Sequence, residues 1–126
     1  MDKAAIVLTV GVSDAMAARM RRAADRDGFR LVDATGQAEA FAALRDLPVS
    51  AVIVNLGMVA GSPLAVSDYA SYRRPDARII YEMGAGGGFA DGSIFAHSAN
   101  AHGVLTPDMP PADVAAVVAH HARASR

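Results

Sequence analysis

The chain has 126 residues, 52% of them apolar, and a formal net charge of -1 from 12 basic and 13 acidic side chains. That length holds one domain with its own core and is too short for two. The balanced charge offers no field for nucleic acid or an anionic membrane, the absence of Cys removes disulfides, thiolate metal sites and Cys nucleophiles, and no apolar run is long enough to span a bilayer.

Ala4 to Val10 is short, β-branched and almost wholly apolar, which predicts a buried strand. Ser13 then reads as a helix N-cap with Asp14 in the first turn. Met16, Met20 and Ala23 share one helical face, Arg19, Arg22 and Arg26 lie elsewhere, and Gly28 is a natural stop. Phe29 to Asp33 is a second strand. Gln37 to Leu47 is a second amphipathic helix with Ala40, Phe41, Leu44 and Leu47 as its core stripe and Pro48 beyond it.

Ala51 to Asn55 is the third strand, an apolar run that delivers one neutral amide. Ser62-Pro63 opens a third helix, an N-cap followed by Pro at the first helical position, with Ala65, Tyr69 and Tyr72 as its expected buried face. Arg73 and Arg74 close it where cations suit the dipole, and Pro75 stops it. Arg78 to Met83 is the fourth strand. The glycines of Gly84 to Gly88 make a loop, and a weaker helix follows from about Asp91 to Ala101. Gly103 to Thr106 is a short fifth strand, and Pro110-Pro111 open a last helix with Val114, Val117 and Val118 on its apolar face.

The order is strand then helix, five times. Apolar runs rather than alternating patterns mean that both sheet faces are covered, which predicts a doubly wound five-stranded parallel sheet, (βα)5, over residues 1–126 as one domain. Sites in such folds form at the carboxyl ends of the strands. The residues there are Gly11 and Val12, Asn55 to Met58, Met83 and Gly84, and Thr106 and Pro107.

Several segments resemble the receiver domain of bacterial response regulators, a flavodoxin-like fold. Tyr72-Arg73-Arg74-Pro75-Asp76-Ala77-Arg78-Ile79-Ile80 resembles that family's third-helix-to-fourth-strand segment. Ala99-Asn100-Ala101-His102-Gly103-Val104-Leu105-Thr106 resembles its A-G-A-x-G-Y-L-T segment, Ser50 to Leu56 its third strand, and Pro111 to Val118 the opening of its last helix. The resemblance runs the length of the chain and implies strand order 2-1-3-4-5 for the sheet. It implies an acidic pair that holds Mg²⁺ with a nucleophilic Asp, a Thr or Ser, and a Lys. Laid against this chain without gaps, the acidic pair falls on Gly11 and Val12, the nucleophile on Asn55, the Thr or Ser on Met83, and the Lys on Pro107. All five groups are absent. A hard cation needs oxygen ligands, phosphoryl transfer is largely electrostatic positioning, and Lys3 is the only Lys. The resemblance therefore implies a degenerate pseudo-receiver: not an enzyme, without cofactor or metal, cytoplasmic and bacterial.

Its expected partner is a protein: a histidine kinase, an effector domain, another regulator or a second copy. By the resemblance, the docking face lies on the fourth helix, fifth strand and last helix, where Ile94, Phe95, Val104 and Asp113 fall. An alternative is a sensor of a nucleotide second messenger such as a cyclic dinucleotide, bound through Tyr72, Arg73, Arg74 and Arg78, because guanidinium groups fork to phosphate and stack on bases. The plainer role for those arginines is helix capping. Asn55 reads first as a hydrogen-bonding strand cap and second as a mimic of one phosphorylation state. The glycine loop lacks the Lys and spacing of a phosphate cradle. Neither His97 with His102 nor His120 with His121 has the spacing for a shared metal. Glu82 is the anomaly: a carboxylate at the end of a buried strand needs a partner.

Overall fold

In the computed structural model, residues 5–83, 101–105 and 111–124 are described. The elements run β1 (Ile6–Val10), α1 (Asp14–Asp27), β2 (Arg30–Ala34), α2 (Gln37–Asp46), β3 (Val49–Asn55), α3 (Pro63–Arg73), β4 (Arg78–Glu82), β5 (Ala101–Leu105) and α4 (Pro111–Ala124). All pairings are parallel and the strand order is β2-β1-β3-β4-β5, as the sequence predicts. The expected helix from about Asp91 to Ala101 and the glycine loop lie outside the described residues, except that Ala101 itself opens β5.

Side chains alternate across each strand and feed two separate cores. Val7, Ala51, Ile53, Ile80 and Leu105 face α1 and α4, meeting Met16, Met20, Val114 and Val118. Leu8, Val10, Val52, Val54, Ile79 and Tyr81 face α2 and α3, meeting Ala40, Leu44, Val66 and Ala70. The central strands are thus buried on both faces, which is why they read as unbroken apolar runs. The edge strand β2 exposes Arg30 and Asp33, charges of the kind that discourage unwanted pairing at a sheet edge.

Helix ends follow local chemistry. The Ser13 hydroxyl accepts from Met16 N, and Gly28 at φ 77° donates its N–H to Ala24 O. The Ser62 hydroxyl accepts from Ala65 N, with Pro63 opening α3.

Two expectations are corrected. Tyr72 is 82% exposed and Ala65 only half-buried; α3 instead buries Val66, Ser67 and Ala70. The Ser67 hydroxyl is drawn inward by a bond from the Tyr81 phenol at 2.9 Å and donates to Pro63 O at 3.0 Å. That pairing sets the rotation of the helix and turns Tyr72 outward. The fifth strand also begins at Ala101 rather than Gly103, because Ala101 pairs with Ile79 across a register irregularity.

Candidate functional site

The carboxyl ends of β1, β3 and β4 bring Gly11, Asn55 and Glu82 together. The β3–β4 register places Asn55 beside Glu82, and Leu56 N donates to Glu82 O at 3.0 Å. Asn55 uses both ends of its amide. Its Nδ2 donates to Gly11 O at 2.9 Å and its Oδ1 accepts from Gly57 N at 2.8 Å. Only this orientation satisfies both bonds, since a carbonyl accepts and a backbone N–H donates. The side chain ties the loop after β1 to the loop after β3, so the strand-cap reading of Asn55 describes its geometry.

Gly11 sits at φ 60°, in the left-handed region that favours glycine. Its N–H donates to Ala34 O at 2.8 Å, which joins the end of β2 to the same assembly. A Cβ added at Gly11 would lie 2.8 Å from Met58 Cβ. Met58 therefore occupies the space over the end of β1. Val12 packs half-buried against the core between α1 and the sheet. Met83 is half-buried and donates its N–H to Leu105 O at 2.9 Å. Pro107 lies outside the described residues.

Glu82 is 8% exposed, and its partner is Ser13. One carboxylate oxygen accepts from Ser13 N at 3.0 Å and the other from the Ser13 hydroxyl at 2.6 Å. The same hydroxyl accepts from Met16 N at 3.2 Å. The carboxylate thus stands at the N-terminus of α1, where a negative charge suits the helix dipole, and fastens that helix to β4. Glu82→Ala should leave Ser13 N unpaired and loosen the start of α1, costing about 2 kcal/mol. A urea titration checks this, with Glu82→Gln recovering part of the loss because its amide oxygen still accepts.

A second set of bonds closes the neighbouring loops. Gln37 N donates to Ala60 O at 2.9 Å, and Ser62 N donates to Gln37 Oε1 at 2.9 Å. Gly36, the N-cap of α2, has no side chain to cap with, and a Cβ there would meet Ala60 O at 2.6 Å. Glu39 reaches back instead, accepting from Thr35 N at 3.0 Å and from the Thr35 hydroxyl. These donors hold the Glu39 carboxyl below its usual range.

The arginines proposed for ligand binding lie at the opposite end of the sheet. Arg74 Nε donates to Leu44 O at 2.9 Å and its Nη2 to Arg45 O at 3.2 Å, while Arg73 Nη2 donates to the same Arg45 O at 3.2 Å. Both guanidinium groups cap the carboxyl end of α2, the plainer role that the sequence suggests. They also line a cavity of about 340 Å³ with Pro48, Val49, Ser50, Pro75, Asp76 and Ala77. Tyr72 and Arg78 are not in its lining, so the four residues are not brought into one site. Of the expected docking face, Val104 is half-buried and Asp113 exposed; Ile94 and Phe95 lie outside the described residues.

Sequence reasoning flagged Ser13 and Glu82 separately and missed their bond, which joins residues 69 apart in the chain. It placed Met58 among the strand-end residues and Gln37 at the start of the second helix without the contacts they make, and it missed Gly61, whose place directly before Ser62-Pro63 was the available signal.

The described residues at the strand ends do not fit a Mg²⁺ ion. Gly11 offers no side chain, Val12 is apolar, and Asn55 is neutral with its oxygen already accepting from Gly57. The Glu82 carboxylate is engaged by Ser13. Among the described residues no group of three or more His, Asp or Glu could hold a metal ion, and no helix is long and apolar enough to cross a membrane.

No protein-family model matches the chain, and no curated protein matches it in sequence. Solved structures do match in fold. A response regulator receiver domain protein (CheY-like) from Methanospirillum hungatei JF-1 superposes with a TM-score of 0.81 at 15% identity, over 98% of this chain and 97% of that one. An adenylate cyclase from Rhodopirellula baltica superposes at 0.80 and 15% identity, over 98% and 90%. A response regulator protein from Burkholderia pseudomallei, solved with a phosphorylated aspartic acid, a calcium ion and citrate, superposes at 0.73 and 19% identity, over 94% and 69%. The shared feature is the CheY-like α/β fold, a five-stranded parallel sheet of order 2-1-3-4-5.

Proposed function

We propose that this chain is a non-phosphorylatable pseudo-receiver, a protein-interaction module of a two-component-type signalling pathway in the bacterial cytoplasm. The observation that carries this reading is the Asn55 amide. By the sequence resemblance it falls where the family places its nucleophile, and it donates to Gly11 O, a bond that an ionised carboxylate cannot make. Met58 over Gly11 and the Ser13–Glu82 pair support the same reading, because they fill the strand ends with apolar and already paired groups. The module then acts by presenting a surface to a histidine kinase, an effector domain or another regulator, and it carries out no reaction of its own. The second-messenger reading is weaker, since Arg73 and Arg74 spend donors on α2 and Tyr72 stands apart from their cavity.

The test is incubation of the intact protein with Mg²⁺ and acetyl phosphate, followed by intact-mass measurement. No phosphoryl adduct is expected; a stable adduct on the wild-type chain would overturn the reading. Asn55→Asp should also remain unmodified. It should lose about 2 kcal/mol of stability, because the new carboxylate faces the Gly11 carbonyl with no proton to share, and Glu82 stands in the adjacent register position. Phosphorylation of Asn55→Asp would show that the neighbouring positions supply what the pseudo-receiver reading says they lack.

A further inference from the structure

We draw no further inference here: the strongest candidate, the groove of about 340 Å³ between the start of β3 and the end of α3, is lined by Arg73 and Arg74, which are already bonded to the last carbonyls of α2, together with the opposite charge of Asp76, and nothing in the structure shows what covers it.

Discussion

Gly11→Asp should destabilise the protein by about 3 kcal/mol. Two costs add. The backbone at φ 60° penalises a side chain by about 1 kcal/mol, at the low end for Asp, which tolerates this region better than most residues. The new Cβ also lies 2.8 Å from Met58 Cβ, and overfilling a packed site costs about 1–3 kcal/mol. Met58 cannot swing aside freely, because the colliding atom is its Cβ and its N–H is bonded to Asn55 O. Urea unfolding of Gly11→Asp and of Gly11→Asp with Met58→Gly separates the two costs: the second change relieves the collision and leaves the backbone cost. A midpoint unchanged by Gly11→Asp would mean that Met58 does not close this position. An acidic side chain at this position is thus opposed by the backbone and by its neighbour together, since Met58 occupies the space.

Gly61→Ala should cost about as much, by a different route. Gly61 has φ 119°, where an L side chain is strained whatever its surroundings. A Cβ there would fall 2.4 Å from Gln37 Cβ and 2.7 Å from its Oε1. Gln37 lies in the first turn of α2, and moving it breaks the bonds to Ala60 O and Ser62 N. A loss of about 3 kcal/mol is expected from strain and collision together. The diagnostic readout is amide exchange at Ser62 and Gln37, which should accelerate well beyond that in β1. If exchange there is unaltered, the bonds from Gln37 do not hold the loop after β3 in place.

The architecture was legible because its signals are local. Ser13 and Ser62 as caps, Gly28 as a stop and Pro63 as a helix start each act within one turn of chain and appear where the sequence puts them, and the apolar runs mark the strands to within a residue or two. The doubly wound sheet follows from covered faces and right-handed crossovers, and its strand order is the one that the receiver-domain resemblance implies. Asn55 was legible as a strand cap, though its partners were not. The site's remaining structure depends on register. Ser13 meets Glu82 only because β4 ends level with the start of α1, and no spacing rule reaches across 69 residues. Tyr72 shows a subtler failure. Its size suggested a buried role on the 65–69–72 face, but α3 is turned by about one residue so that Ser67 meets the Tyr81 phenol. A hydroxyl seeking a partner inside the core outweighed the apolar area of an aromatic ring. Met58 was unreadable for the opposite reason: nothing in a loop sequence says which side chain will fold back over a neighbouring glycine.

The bonds between α2 and α3 have a consequence for how the domain opens. At one end Gln37 holds Ala60 and Ser62, in the middle the Phe41 and Tyr69 rings stack with centroids 4.5 Å apart, and at the other end Arg73 and Arg74 cap the last carbonyls of α2. Neither helix can fray without stripping partners from the other. The two behave as a single cooperative unit in local unfolding, so the α2–α3 side of the sheet opens as one layer, while α1 is fastened separately through the Ser13–Glu82 pair.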